Sequence, residues 1–135
     1  MRLNYAFTAT AAEFTPADGR VWVLGGDYDT VSVPAFPVSI PSITVVMKFL
    51  LEPSECEIPH NLRVELLDSD GNRVREPFIQ TFASPRNQAA PGRAAGSGFV
   101  LSMPDTLFGA AGDYSFRILV DDHELGSIPL HMEES

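Results

Sequence analysis

Asn61-Leu-Arg-Val-Glu-Leu-Leu-Asp68 and Asp113-Tyr-Ser-Phe-Arg-Ile-Leu-Val-Asp121 decide the fold class. Leu62, Val64 and Leu66 are separated by Arg63 and Glu65. Tyr114, Phe116, Ile118 and Val120 are separated by Ser115, Arg117 and Leu119. Successive strand side chains point to opposite faces, so each set lines one face of a sheet. Outward from these two runs, the same reading gives strands over Leu3–Phe14, Val21–Leu24 with Asp29–Val33, Ser42–Glu52, Arg73–Ala83, Gly98–Met103 and Leu125–Met132. Pro77 makes the Arg73–Ala83 strand an edge or a bulge, because proline gives no ladder hydrogen bond. No sustained helical period occurs; Thr106–Ala111 is the one stretch that could form a helical turn.

The punctuation agrees. Asp18-Gly19 and Asp70-Gly71 are hairpin signals, since both residue types tolerate positive φ. Pro34, Pro37 and Pro41 mark a stiff connection that crosses between sheets. Residues 84–97 (SPRNQAAPGRAAGS) have no periodicity and read as a long flexible loop. Short strands with frequent turns predict one domain over residues 1–135: an all-β, antiparallel, immunoglobulin-like sandwich of about seven to nine strands. A closed barrel is the second choice. The expected core is Tyr5, Phe7, Trp22 or its neighbours, Val45, Met47, Phe49, Val64, Leu66, Phe99, Leu101, Phe116, Ile118, Ile128 and Leu130.

The chain has 135 residues, 44% hydrophobic and 20% charged, enough to bury a core without staples. A net charge of -9, with Lys48 the only lysine, argues against a nucleic-acid partner. The single cysteine, Cys56, excludes an internal disulfide and a Cys-based zinc cluster. Ile43–Leu51, the longest apolar stretch, is far too short to insert into a membrane at about 20 residues per span. Met1–Tyr5 lacks the basic region and apolar run of a secretory signal, so a cytoplasmic location is expected.

Asp18-Gly-Arg-Val-Trp-Val-Leu-Gly-Gly-Asp-Tyr-Asp29, then Pro34-Ala-Phe-Pro37 and Ile43-Thr-Val-Val-Met47, resembles a family of small bacterial proteins of unknown function. The closing run Ala111–Asp121 followed by Leu125-Gly-Ser-Ile-Pro-Leu-His131 resembles the final hairpin of the same family. The resemblance implies an immunoglobulin-like sandwich and no established activity, so no functional residue is carried over from it.

Chemistry finds little to stand on. His60, His123 and His131 read as exposed turn and strand residues, without a Gly-x-Ser-x-Gly elbow. Glu55 and Glu57 flank Cys56 and disfavour a thiolate. Gly25-Gly26 has no following lysine or helix and reads as a strand break, not a phosphate loop. Asp27/Asp29, Asp68/Asp70 and Asp121/Asp122 could offer oxygens to calcium, but aspartate also favours turns for its own backbone bonds. Trp22, Tyr28 and Tyr5 could stack on a sugar. The third strand is apolar on both faces, and Leu67, Ile79 and Leu119 are apolar on nominally outer faces. The sequence therefore predicts a non-enzymatic module without cofactor, acting in protein–protein interaction or self-association. Its expected face is Val46, Leu50, Leu67 and Leu119, with the 84–97 loop as a further contact. A carbohydrate- or calcium-binding module is the alternative.

Overall fold

The structure is a computed structural model that describes residues 1–135. Its strands are β1 (Arg2–Phe14), β2 (Val21–Gly26), β3 (Thr30–Val33), β4 (Val38–Leu51), β5 (His60–Leu67), β6 (Phe78–Phe82), β7 (Ala95–Phe108), β8 (Gly112–Val120) and β9 (His123–Glu134). One sheet has the order β2-β1-β4-β7 and the other β3-β9-β8-β5-β6. They pack face to face around Val45, Met47, Phe49 and Leu51 from β4 and Leu62, Val64, Leu66, Phe116, Ile118 and Leu130 from the second sheet. The alternation that defines β5 and β8 is realised directly: Val64 pairs with Ile118 and Leu66 with Phe116, all four buried.

Several expectations are corrected. The pairing is antiparallel except for β3, which runs parallel to β9, with Thr30 opposite His131 and Val33 opposite Glu134. Thr106–Ala111 is not helical, because β7 continues to Phe108 opposite Val38. The lone 3-10 turn is Pro53–Glu55, between β4 and β5. Ala95–Ser97 belong to β7, not to the preceding loop. The crossing between sheets falls at Pro34–Pro37, with a cis Phe36–Pro37 bond, as β3 and β4 lie in different sheets.

Trp22 is outside the core at 60% exposure. The cause is the path of β1. Its first half pairs with β4, from Arg2 opposite Leu50 to Ala9 opposite Thr44; its second half pairs with β2. Phe14 ends that second half, yet its ring lies on Gly98, whose strand neighbour Lys48 pairs with Tyr5. The β1–β2 hairpin therefore turns back across the outer face of its own sheet. A Cβ at Gly98 would stand 2.5 Å from the Phe14 ring, so the glycine makes room for this return.

At the other end of the sandwich, Tyr114 opens β8. Its hydroxyl donates a 2.6 Å hydrogen bond to the Ala110 carbonyl, and its ring meets Phe108 edge-on at 4.9 Å. This ties the β7–β8 connection to the core. Tyr114→Phe keeps the ring but leaves the carbonyl without its partner. Urea unfolding should show a loss of about 1 kcal/mol, and Phe116→Ala, which empties a fully buried site, a loss of about 3–5 kcal/mol.

Candidate functional site

The predicted face is not one surface. Val46 and Leu50 lie in the β2-β1-β4-β7 sheet, and Leu67 and Leu119 in the other. Val46 is fully buried between Phe7 and Val100 in register, under the returning hairpin. Leu119 is also buried, flanked by Arg63 and Glu124 on the neighbouring strands, with Arg117 two residues back on its face. Long arginine stems shield apolar surface in this way. Leu50 and Leu67 are half-buried.

The exposed apolar surface lies elsewhere. Trp22, Val23 and Leu24 are consecutive on β2, and Leu24 is 69% exposed. Glu13 faces Trp22 and Ala11 faces Leu24 across the hairpin, so Trp22 and Leu24 share one side of the ribbon. With Ala11, Ala12, Glu13 and Val23 they line a shallow hollow of about 310 Å³. The Trp22 indole N–H donates to Thr15 Oγ1 at 2.6 Å, which fixes the ring against the hairpin turn.

The sheet edges explain why this matters. An unpaired edge is a template for another strand, and proteins blunt edges by shortness, proline, bulges or charge. β3 is four residues long and ends at Pro34; β6 is five residues long and starts after Pro77. On β7, Pro104 lacks an N–H, Asp105 has φ +47, and Arg75 Nη1 donates to the Pro104 carbonyl at 3.0 Å and Thr106 Oγ1 at 2.9 Å. β2 has one of these, Gly25 at φ +61 near its end, but the run before it, Val21–Leu24, is free of proline and charge. No backbone bond outside the ladders ends on residues 21–26; Arg20 and Asp27 lie just beyond its two ends, and Glu13 faces Trp22 across the hairpin.

The titratable groups form structural ties. His60 is buried, contrary to the reading of an exposed turn histidine. Its Nδ1 lies 2.6 Å from Asp121 Oδ2 and its Nε2 lies 2.7 Å from the Glu55 carbonyl oxygen. Both partners accept, so both ring nitrogens donate and the ring is an imidazolium with no free nitrogen for base catalysis. Burial pushes its pKa down, but the bonds to Asp121 and Glu55 outweigh this and hold it above 6.5. The bond from His60, with the Asn61 N–H, holds Asp121 below 3.8. For Glu55, burial is outweighed by the Met1 amino group at 2.7 Å and the Glu52 N–H, and its pKa is lowered. Met1, Glu55, Asp121, His123, Val120 and Leu125 rim an adjacent cleft of about 470 Å³.

On the outer face of the second sheet, buried Glu65 takes a 2.9 Å bond from Arg73 Nε, with Arg63 Nε at 3.5 Å and Arg117 Nη1 at 3.8 Å. His131 Nδ1 meets Asp113 at 2.7 Å on the surface. The Cys56 thiol is buried and donates to the Glu52 carbonyl at 3.5 Å.

The acidic pairs stay in separate turns. Asp68 Oδ1 accepts from the Asp70 and Asn72 N–H groups, and Asp27, Asp121 and Asp122 occupy left-handed backbone positions. No three His, Cys, Asp or Glu side chains come together as a metal cage. The three aromatics considered for sugar stacking are dispersed: Tyr5 stacks on Phe7 and Tyr28 packs against the core, leaving Trp22 alone.

Sequence reasoning missed both main features. In Val21-Trp-Val-Leu24 every position is apolar, so alternation cannot tell an inner from an outer face. His60 and Asp121 are 61 residues apart, and no local signal joins them.

The molecule is thus a two-sheet β protein whose most conspicuous surface feature is an exposed apolar run on an edge strand. It belongs to the family of unknown function DUF6941, whose family model matches residues 4–133. None of the curated proteins matches the chain. No helix is long and apolar enough to cross a membrane.

The His60–Asp121 pair makes stability depend on pH on two sides. His60, with its raised pKa, contributes fully below pH 6.5 and loses that contribution as pH rises through its folded value. Asp121, with its lowered pKa, contributes above pH 3.8 and loses it as pH falls through its folded value. Asp121→Asn should lower stability by about 1–2 kcal/mol between those limits and flatten both flanks. Urea titrations of both proteins from pH 3 to 9 check this; parallel profiles would contradict it.

Proposed function

We propose that this protein is a non-enzymatic interaction module of immunoglobulin-like topology whose contact element is the β1–β2 hairpin. The observation that carries the reading is the run Trp22-Val23-Leu24, exposed on an edge strand of its sheet. Strand addition at such an edge draws affinity from backbone hydrogen bonds and specificity from alternate side chains, and a tryptophan is a frequent anchor.

Three features support the immunoglobulin-like part. If β1, β4, β5, β7, β8 and β9 take the places of A, B, C, E, F and G, the orders A-B-E and G-F-C both follow. The parallel β3–β9 pair is then a second segment of the first strand crossing to the last. The Tyr114 bond back to Ala110 matches the tyrosine corner at the start of strand F.

The non-enzymatic part rests on chemistry: the buried His60 has no free ring nitrogen, and the buried Cys56 bonds only a backbone carbonyl. We place the protein in the cytoplasm, since a free thiol suits a reducing compartment.

A photoreactive amino acid introduced singly at positions 22, 79 and 107 tests the contact element in cells. Ile79 and Leu107, at 65% and 60% exposure, are as accessible as Trp22. Protein adducts should form from position 22 and not from the other two. Equal adducts from all three, or none from 22, would refute the reading.

A further inference from the structure

We infer that the occupant of the β2 edge is a second copy of this chain, bound antiparallel about a two-fold axis through Val23. The inference rests on the hairpin-edge reading above and names its partner.

Hydrogen-bond parity sets the register. The Thr15 N–H donates to the Arg20 carbonyl at 2.8 Å, and the hairpin ladder pairs Glu13 with Trp22 and Ala11 with Leu24. Even-numbered residues of β2 therefore bond inward to β1, and the N–H and C=O groups of Val21 and Val23 point outward. A two-fold antiparallel pairing must match outward groups with outward groups. Centred on Val23, it sets Val23 against Val23 and Trp22 against Leu24 of the other copy, and regular pairing ends at Gly25, whose φ of +61 turns the backbone out of the strand.

Side chains fit this register. Trp22 and Leu24 lie on one side of the hairpin, so their cross-strand pairing brings two tryptophans and two leucines into one apolar cluster. Charge fits as well. Arg20, which lies 3.4 Å from Asp18 in its own turn, precedes β2 and Asp27 follows it, so antiparallel pairing brings each Asp18–Arg20 pair to the Gly26–Asp27 end of the other copy. Parallel pairing would set like charge against like. The chain's net charge of -9 opposes close approach over most of the surface, whereas the strand itself is uncharged. The extended run that precedes Gly25 is short and makes a contact small among interfaces, so micromolar association is expected.

Trp22 is the only tryptophan, so its emission reports this surface alone. Sedimentation and fluorescence of the whole chain should show a monomer–dimer equilibrium up to about 0.5 mM, with emission moving to the blue as dimer forms. Trp22→Ser and Leu24→Lys, both at exposed sites, should each weaken the dimer about tenfold or more with unchanged far-UV spectra. In an oxidising buffer Val23→Cys should form an interchain disulfide. Val21→Cys should not, because two copies of residue 21 stand about 13 Å apart along the paired strands.

A monomer at every concentration with unshifted emission and no Val23→Cys cross-link overturns the inference. So does a dimer that Trp22→Ser leaves intact, or cross-linking at 21 faster than at 23. If the chain stays monomeric while photo-adducts from position 22 hold another protein, the second copy is wrong and the hairpin edge still stands. If position 22 gives no adduct at all, the edge itself is wrong.

Discussion

β4 is apolar on both faces, and both must be covered. Its inner residues, Val45, Met47, Phe49 and Leu51, meet the second sheet. Its outer residue Val46 is just as buried, and no second layer of sheet or helix is available to bury it. The chain solves this with its own first strand. β1 pairs with β4, then continues into a hairpin that returns over the outer face and lays Phe14 on Gly98. That return fixes much of the rest. It requires a residue without a side chain at position 98, and it turns Trp22 and Leu24 outward because the hairpin's other side faces the sheet. The exposed edge is thus the far side of an internal covering operation.

The second sheet covers its outer face differently. There the shield is charged: Arg63 and Arg117 flank Leu119, and their guanidinium groups converge with that of Arg73 on buried Glu65. Removing a carboxylate from water is costly unless cations surround it, and here three do. His60 acts similarly at the sandwich end, joining the Pro53–Glu55 turn to the β8–β9 turn through two bonds. One face of the molecule is closed by folding back apolar chain and the other by ion pairs.

Much of the fold was legible where each strand has one wet and one dry face. β5 and β8 could be read from alternation alone, and Asp70-Gly71 and Asp121-Asp122 punctuate them. The crossing between sheets was legible from Pro34 and Pro37, but Pro41, read as part of the same connection, lies within β4. The reading failed where both faces of a strand are apolar, because the period then carries no direction. Val46 was taken for surface and Trp22 for core on that account; Leu119 was assigned to the correct outer face, but the arginine stems that cover it were not legible from its own strand. The parallel β3–β9 pair was not legible either, since its partners are 101 residues apart. The candidate site was visible as residues, Trp22 among them, but not as a surface; which side of a hairpin faces out depends on where the hairpin docks.

The returning hairpin also sets the order in which the molecule can come apart. It is joined to the body along one strand, while β4 is bonded on both edges and packed on both sides. Lifting the hairpin breaks no contact within the inter-sheet core and so defines an opening of lower free energy than global unfolding. Amide hydrogens of β2 then exchange through that local route, and those of β8 only through the global one. The same motion bares Val46 and its neighbours on an otherwise intact sandwich. Damage by heat or by proteases therefore starts at this flap, and the species it produces is nearly native and apolar on one broad side.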